Sequence, residues 1–457
     1  MNTLAIYDIL KDASIYNKID VDISGFKIDT RKVNKGDCYI AIKGEHNDGN
    51  KFYMDAFAKG ASIVILDNYE KKLEDIKYLE ENNKSIIVVD DTIKSLGTLA
   101  EYKRSLFKNP VVAITGSAGK TSTKDMVYSV LKEKYKAHKT IGNQNNHIGL
   151  PLTVLALDLN TEVLVLEMGM NHLGEISYLT NIAKPNVAII TNVGTAHIGN
   201  LGSRENILKA KLEILSGLDE NGTVIINNDN DLLHEWYLKN KDKYRILTVG
   251  INNSSDFLAK DIKLNDDQST FTYNNLTYHV PVAGIHFIYN ALVALAIGSI
   301  FNIPDALIQD GIFNFELSSN RMSITKNAKG VTIIDDSYNA NYDSMSYAIK
   351  YLASLSGRLI AVLGSMNELG DYSEDLHRKI GKLVNDEGID ILITVGDEAK
   401  YINAEALKEG FAKDNIYHMN NNKEAIELLN NILSNHDKVL IKASNSLNFK
   451  EIVEEIK

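Results

Sequence analysis

The stretch ITGSAGKTSTKD, residues 114–125, combines a glycine-rich turn with a Lys-Thr pair. Glycine has no Cβ, so the backbone N–H groups of such a turn can approach an anion, and a following helix adds its N-terminal amides and dipole. A lysine here reaches the β- and γ-phosphates of a nucleotide, and the threonine hydroxyl can coordinate Mg²⁺. The pattern predicts an ATP- or GTP-binding loop without identifying the reaction, and it comprises Gly116, Ser117, Ala118, Gly119, Lys120, Thr121 and Ser122.

Further chemical groups follow two other apolar runs. Glu167 comes after VLVL, His197 comes after VAIITNV, and the segment after His197 carries Lys209 and Lys211. Ligands of open α/β sheets lie outside the carboxyl ends of the strands. Each residue alone is more often a solvated or hydrogen-bonded loop or helix residue than a functional one. Their expected position on the same rim as Lys120 favours a magnesium site that bridges phosphates.

A third polar group follows the run VTIID near the C-terminus. The segment after it reads DSYNAN, residues 336–341, and Arg321 lies just before the strand. A single asparagine there would indicate only a turn, because its side chain hydrogen-bonds to nearby backbone. A polar and aromatic run at the ligand end of a sheet indicates closure onto a ligand held by another domain, with Arg321 as a second cation for phosphate charge.

The elements that must position these residues follow a strand–helix rhythm over 457 residues, which are too many for one ordinary core. Alternating apolar runs predict mostly parallel sheets covered by helices. We expect an α/β protein of three domains: a small α/β domain (1–90), a central P-loop domain with helices on both faces of its sheet (91–315), and a Rossmann-like doubly wound domain (316–457). Short alternating runs at 256–281 predict antiparallel strands added at one sheet edge, followed by a helix over 285–301.

Composition limits the class of protein. The formal charge of -11 argues against a nucleic-acid groove, because phosphate contacts need a surplus of Lys and Arg. The single cysteine, Cys38, allows no intramolecular disulfide and no cysteine-based zinc site. The N-terminus lacks the pattern of a signal peptide, and the apolar runs are too short to span a membrane. These features predict a soluble cytoplasmic enzyme or NTPase.

Several segments together resemble the Mur ligases: TGSAGKTSTKDM, NQNNHIGLPLT, LEMGMNHLGEI, NVGTAHIGNLGSRENILKAKLEI, DDSYNANYDSM and VLGSMNELG. The likeness runs from the N-terminal block to near the C-terminus, and it is greatest to members that add D-alanyl-D-alanine to UDP-MurNAc-tripeptide. It implies the last cytoplasmic amino-acid-adding step of peptidoglycan synthesis, with ATP and two Mg²⁺ ions, small-molecule substrates, no nucleic acid, no membrane insertion and a monomeric enzyme.

The resemblance also implies roles for individual residues. Those matching catalytic positions are Lys120, Glu167, His197, Lys211 and Arg321, and those matching metal ligands are Thr121, Glu167, His197 and Lys211, the lysine as a carbamate formed with CO₂. Those on the ATP side beyond the phosphate loop are Asn290, Arg321 and Asp336. Those on the substrate side are Asp29, Thr30, Arg31 and Gly44 for the UDP-sugar, Asn145 and Asn146 for the muramoyl-peptide, and Tyr338, Asn339 and Asn341 for the dipeptide.

The sequence departs from the family's pattern at four places. Phe287 replaces an asparagine in the segment before the adenine-side helix, and Tyr342 replaces a proline. Ser365 stands where aspartate is common. Near the C-terminus, Ala443 and Asn445 replace a glycine and an arginine, which puts the details of acceptor binding in question.

Two alternatives remain from the sequence. One is another ligase of this superfamily, either a Mur ligase that adds a single amino acid or a folylpolyglutamate synthetase. The N-terminal IDTRK block argues against folate, and the DDSYNAN run argues against a single amino acid. The other is a nucleotide-binding protein without catalysis, which the complete set of site residues disfavours. The third residue of the tripeptide, diaminopimelate or lysine, stays open.

Overall fold

The computed structural model describes residues 1–45, 47–318 and 320–457. The N-terminal part forms a five-stranded sheet in the order β1-β5-β4-β3-β2, with only the β1–β5 pair antiparallel. Its strands are β1 (Ser14–Tyr16), β2 (Phe26–Lys27), β3 (Cys38–Ile40), β4 (Ile63–Leu66) and β5 (Ser85–Val88). Its helices are α1 (Thr3–Ile9), α2 (Tyr53–Ala58) and α3 (Leu73–Asn82), and α4 (Thr92–Leu106) leads into the central sheet.

The central sheet has seven strands in the order β12-β11-β10-β9-β6-β8-β7, and all its pairs are parallel. Its strands are β6 (Val111–Thr115), β7 (Ala137–Lys139), β8 (Val163–Glu167), β9 (Val187–Ile190), β10 (Thr223–Asn227), β11 (Arg245–Gly250) and β12 (Phe257–Leu258). Strands β6, β8 and β9 are buried along their whole length, as expected of parallel strands covered on both faces.

Helices surround this sheet. The helices are α5 (Lys120–Lys132), α6 (Gly149–Leu155), α7 (Glu175–Ala183), α8 (Ile198–Leu201), α9 (Arg204–Leu212), α10 (Asp231–Asn240), α11 (Ile285–Ile300) and α12 (Asp305–Phe313). Of these, α5, α9 and α11 carry predicted site residues, and α8 follows His197 directly. The predicted helix over 285–301 is α11, which packs against α5 and is apolar because it is buried on most of its surface.

The antiparallel strands predicted at 256–281 are present, but their expected attachment to a sheet edge is wrong. The strands β13 (Lys260–Leu264), β14 (Ser269–Tyr273) and β15 (Leu276–Val280) form a separate three-stranded sheet. The chain leaves the central sheet after β12, and Asp261 has a φ of 48° where the register of β13 shifts. A register shift of this kind is a β-bulge, which bends the strand locally.

The C-terminal sheet has six strands in the order β16-β17-β21-β18-β19-β20, with β16 antiparallel to its neighbour and the other pairs parallel. Its strands are β16 (Ser323–Lys326), β17 (Thr332–Asp335), β18 (Leu359–Gly364), β19 (Ile391–Val395), β20 (Ile416–Met419) and β21 (Lys438–Lys442). Its helices are α13 (Tyr342–Ala353), α14 (Ser373–Asp386), α15 (Lys400–Lys408), α16 (Asn422–Ile432) and α17 (Lys450–Ile456). The expected three-domain α/β architecture is confirmed. Within the described ranges, no helix has the length and apolarity needed to cross a membrane.

Candidate active site

The predicted phosphate loop joins β6 to α5. Gly116 has a φ of +154°, and a Cβ at this position would lie 1.8 Å from Thr191 Oγ1. The Ala118 N–H donates to Asn192 Oδ1 at 2.9 Å, and the Ala118 carbonyl accepts from Thr191 Oγ1 at 2.7 Å. Gly119, with a φ of +78°, precedes the first residue of α5. The loop is therefore braced by Thr191 and Asn192, which follow β9 and which sequence reasoning did not identify.

Two cations of the predicted site face this loop. Lys120 Nζ donates to the Gly116 carbonyl at 2.8 Å. Burial lowers the pKa of Lys120, Glu167 opposes that shift, and the positive charge of Arg321 adds to it. The Arg321 guanidinium stacks 4.0 Å from the centre of the Tyr338 ring. An anion bound between Lys120 and Arg321 would relieve the repulsion between them, which is what a nucleotide phosphate supplies.

Glu167 ends β8 and connects the phosphate loop with the loop after β7. Its Oε1 accepts from Thr121 Oγ1 at 3.2 Å and from Asn145 Nδ2 at 2.7 Å. Its Oε2 is buried and accepts no hydrogen bond in the described structure, and Lys124 Nζ lies 3.6 Å away. Mg²⁺ sites that hold substrate phosphates use one or two carboxylates, with water and phosphate as the other ligands. The pair Thr121 and Glu167, with a free carboxylate oxygen, fits that requirement.

Lys124 was not identified from the sequence. It lies one turn after Lys120 on α5, and its side chain is 1 % exposed. Its Nζ lies 3.5 Å from Asp125 Oδ1, and Asp125 also pairs with Lys139 at 2.7 Å. The spacing of four residues from Lys120 was the available signal, because it places both lysines on the same face of a helix.

His197 has a φ of 62° and begins the short helix α8. Its Nδ1 lies 2.5 Å from Glu368 Oε2, a carboxylate of the C-terminal domain. The two side chains are in close contact, although Nδ1 makes no hydrogen bond of good geometry in the described structure. His197 lowers the pKa of Glu368.

Lys211 lies on α9, is fully buried and does not line the cleft described below. Its Nζ has no hydrogen-bond partner in the described structure, and burial holds its pKa well below the usual range, with a smaller effect from Lys120. Across residues 1–45, 47–318 and 320–457, no cluster of three or more His, Cys, Asp or Glu side chains could hold a metal ion.

Three loops of the C-terminal domain, after β17, β18 and β21, face the ends of the central strands that carry the phosphate loop and Glu167. Asp336 pairs with the buried Lys442, and its Oδ1 accepts from the Met322 N–H at 3.1 Å. Lys442 Nζ also donates to the Asn339 carbonyl at 2.9 Å. Asp336 is thus an anchor for its own loop as well as a cleft residue.

Asn445, which replaces an arginine of the family pattern, ties two of these loops together. Its Nδ2 donates to the Tyr338 carbonyl at 2.9 Å, and its N–H donates to Asn339 Oδ1 at 3.2 Å. Asn341, predicted to bind substrate, uses its side chain to cap α13 by accepting from the Ser344 N–H. Ser365, another departure, is buried, and its hydroxyl accepts from the Ala399 N–H.

The predicted adenine-side residue Asn290 faces the phosphate loop from α11. Its Oδ1 accepts from Thr123 Oγ1 at 2.9 Å, and its Nδ2 is buried without a partner. Next to it, the Tyr289 hydroxyl donates to Asp229 Oδ2 at 2.8 Å, which fixes that ring at the wall of the cleft. Phe287, the residue that replaces an asparagine, is buried against His286.

These groups line one cleft of about 390 Å³ between the central and C-terminal domains. The predicted residues that it brings together are Ser117, Ala118, Gly119, Lys120, Thr121, Ser122, Asn145, Asn146, Glu167, His197, Asn290, Arg321, Asp336, Tyr338, Asn339 and Asn341. The predicted UDP-sugar residues Asp29, Thr30, Arg31 and Gly44 lie in the N-terminal domain and do not line it. Arg31 there is mostly exposed and pairs with Asp29 at 2.8 Å.

Comparison with protein families finds three matches along the chain. The family described as "Mur ligase family, catalytic domain" matches residues 22–104, "Mur ligase middle domain" matches 114–298, and "Mur ligase, glutamate ligase domain" matches 320–445.

Among curated relatives, the UDP-N-acetylmuramoyl-tripeptide--D-alanyl-D-alanine ligase of Bacillus subtilis (strain 168) is 38% identical over 438 residues, covering 95% of this chain and 93% of the relative. The enzyme of the same name from Escherichia coli (strain K12) is 33% identical over 400 residues, 86% of each chain.

Solved structures give the same picture. MurF from Acinetobacter baumannii superposes with a TM-score of 0.88 at 28% identity, covering 99% of this chain and 98% of that one. MurF ligase from Thermotoga maritima in complex with ADP gives 0.82 at 28% identity, covering 94% and 96%. A folylpolyglutamate synthase from Mycobacterium tuberculosis shares the fold, with a TM-score of 0.63 at 16% identity over 80% of this chain and 95% of that one.

Proposed function

The chain belongs to the Mur ligase family, and from that premise we propose that it is the ATP-dependent ligase that adds D-alanyl-D-alanine to UDP-N-acetylmuramoyl-tripeptide in peptidoglycan synthesis. The observation that carries the proposal is the single cleft in which Lys120, Thr121 and Glu167 face Arg321 and Asn339 of another domain. Relatives bearing that activity in their names match nearly the whole chain, including the N-terminal domain.

The reaction follows from the charges in the cleft. Lys120 and Arg321 neutralise the γ-phosphate of ATP as it passes to the carboxylate of the tripeptide, giving an acyl phosphate and ADP. The amine of the dipeptide attacks the acyl carbon, the tetrahedral intermediate collapses to the amide, and inorganic phosphate leaves. Closure of the C-terminal loops over the cleft excludes water, which would otherwise hydrolyse the acyl phosphate.

Thr121 and Glu167 are the groups that would hold a magnesium ion, and His197 would hold a second. A bound Mg²⁺ ion supplies positive charge to phosphate oxygens. The chain's own contribution is to orient those ligands: Asn145 fixes Glu167 Oε1, and Oε2, 3.6 Å from Lys124 Nζ, accepts no hydrogen bond in the described structure. ATP use is supported by the ADP complex of the Thermotoga maritima relative.

The carbamate on Lys211 is a prediction that none of the comparisons supports. It stands on one physical fact, that the Lys211 amine is buried without a hydrogen-bond partner in the described structure. Carbamylation converts that amine into a carboxylate-like group. Incubation with isotopically labelled bicarbonate, followed by NMR of the labelled carbon, tests it with Lys211→Met as the control. A carbamate signal present in both proteins would not come from Lys211.

The domain assignment is part of the same proposal. Residues 1–90 bind the UDP-sugar through Asp29, Thr30, Arg31 and Gly44, residues 91–315 bind ATP, and residues 316–457 close over ATP and the dipeptide. The cytoplasmic location and the monomeric state expected from the sequence stay predictions.

The activity is tested by phosphate release from ATP and Mg²⁺ with UDP-MurNAc-tripeptide present and D-alanyl-D-alanine added or omitted. Tripeptides with diaminopimelate and with lysine are compared, and products are weighed by mass spectrometry. We expect release that requires both substrates and a pentapeptide product. Lys120→Met abolishes it, whereas Lys132→Met, an exposed lysine on the same helix, does not. Turnover with folate and glutamate instead, or nucleotide binding without turnover, would overturn the proposal.

A further inference from the structure

The loop that follows β9 connects the phosphate site with the C-terminal domain. It runs over residues 194–200, carries His197 and includes the first residues of α8. The Gly194 N–H donates to Ser117 Oγ of the phosphate loop at 3.0 Å. Any shift of this loop therefore acts directly on the phosphate loop as well as on His197.

One carboxylate of the C-terminal domain holds the start of this loop. Asp343 Oδ2 accepts from both the N–H and the hydroxyl of Thr195, at 2.7 and 3.0 Å, across 148 residues of sequence. The approach is close: a Cβ on Gly194 would lie 2.1 Å from Asp343 Oδ2. Hydrogen bonds to a charged acceptor are stronger than those to a neutral one.

A second carboxylate holds the other end. The Glu368 carboxylate contacts His197 Nδ1, and the Glu368 backbone carbonyl accepts from the Gly199 N–H at 3.0 Å. A Cβ on Gly199 would lie 2.5 Å from the Gly370 nitrogen, so this approach also requires glycine. His197 and Glu368 both have left-handed backbone conformations, with φ of 62° and 63°. Such conformations cost free energy outside glycine and persist where surrounding contacts enforce them.

Asp343 lies in the first turn of α13, directly after the β17 loop, and Glu368 lies in the loop after β18; these C-terminal loops are tied to one another. Lys442, the last residue of β21, connects that strand to the loop after β17 by pairing with Asp336 and donating to the Asn339 carbonyl. The Asn367 N–H, in the loop after β18, donates to Ser444 Oγ, in the loop after β21, at 2.8 Å. The three loops thus form one connected unit that includes the residues proposed to hold the dipeptide.

We propose that Asp343 and Glu368 are positioning residues that clamp the loop 194–200 when the C-terminal domain closes, so that the dipeptide site and the phosphate site are completed together. The inference rests on the proposed ligase activity and adds to it the two contacts that couple its sites. Neither residue lines the cleft. Both act through Thr195, His197 and Ser117.

The test compares Asp343→Ala with Asp375→Asn, an exposed carboxylate on α14 that pairs with Lys379. We expect Asp343→Ala to raise the KM for D-alanyl-D-alanine about ten-fold, which corresponds to about 1.4 kcal/mol. Its Tm stays within the range of the control, because the substitution removes one contact between two domains and leaves both cores intact. Thr195→Ser keeps both hydrogen bonds and wild-type kinetics.

A double-mutant cycle separates positioning from a general structural role. Thr195→Val removes only the hydroxyl contact, so it weakens kcat/KM in the wild-type background and has no further effect in Asp343→Ala. Additive losses, an unchanged KM for the dipeptide, or a parallel fall in Tm would overturn the clamp. Inactive wild-type enzyme would instead overturn the proposed function, so the two failures are distinguishable.

Discussion

Replacement of Lys124 by methionine tests the buried charge arrangement beneath the phosphate loop. The ammonium is 1 % exposed and lies 3.6 Å from Glu167 Oε2 and 3.5 Å from Asp125 Oδ1. Methionine keeps an unbranched side chain of similar length and removes the charge. Asp125 keeps Lys139 at 2.7 Å, whereas Glu167 keeps no ion-pair partner in the described chain.

The expected loss of stability follows from the charge that is left on Glu167 without an ion-pair partner. Removing one partner of a buried ion pair costs about 3–5 kcal/mol, because the other charge stays buried and uncompensated. The separations of 3.5 and 3.6 Å are long for direct ion pairs, so we expect the lower end, about 3 kcal/mol. For a domain of roughly 150–250 residues, each kcal/mol lowers Tm by about 2–4 °C, which predicts a fall of about 6–12 °C in the unfolding of the central domain.

Calorimetry of Lys124→Met, with Lys132→Met as the exposed control on the same helix, measures this effect. The control is expected to shift Tm by no more than about 2 °C, as surface substitutions do. The double variant Lys124→Met/Glu167→Gln removes the uncompensated charge and is expected to unfold at a higher temperature than Lys124→Met alone. A single variant as stable as the control, or a double variant no better than the single one, would refute the reasoning.

Three further predictions use other parts of the site. Burial first, and Lys442 second, lower the pKa of His286 to about 4. Between about pH 6.5 and pH 4 the unfolded chain therefore binds a proton at His286 that the folded chain does not bind, so the free energy of unfolding falls by at most about 3 kcal/mol as the pH is lowered through this range. Urea titrations at about pH 6.5 and pH 4 measure this fall, and His286→Gln is expected to remove it. An equal pH dependence in both proteins would contradict the prediction. Gly116→Ala places a Cβ against Thr191 Oγ1 and is expected to weaken ATP binding at least about ten-fold by calorimetric titration, while Gly388→Ala, with a positive φ and open space around it, does not. Asn341→Ala removes the N-cap of α13 and is expected to lower the free energy of unfolding by about 1 kcal/mol. Asn341→Asp keeps the cap, so its kinetics separate the two roles. A raised KM for the dipeptide assigns Asn341 to substrate binding, and wild-type kinetics assign it to the cap alone.

Much of the fold was predictable because its signals are local. The apolar runs VVAIT, VLVLE and VAIIT became β6, β8 and β9 because parallel strands buried on both faces read as continuous apolar segments. The sheet of β13, β14 and β15 was recognised as antiparallel from its alternation, but its attachment was misjudged. Alternation fixes which face of a strand is buried and carries no information about which sheet the strand joins.

The candidate site also has one part that local sequence predicts and one part that only the tertiary structure shows. The loop of Gly116, Gly119 and Lys120 is contiguous, so the sequence by itself determined its shape and its chemistry, and the strand ends placed Glu167 on the same rim. Tertiary structure alone decided that Asp343 meets Thr195 across 148 residues and that Glu368 meets His197. Such pairs leave no periodic trace in one sequence, because the partners lie far apart along the chain. They are set by how the central and C-terminal sheets are packed together, and that packing is where this chain couples its phosphate site to its acceptor loops.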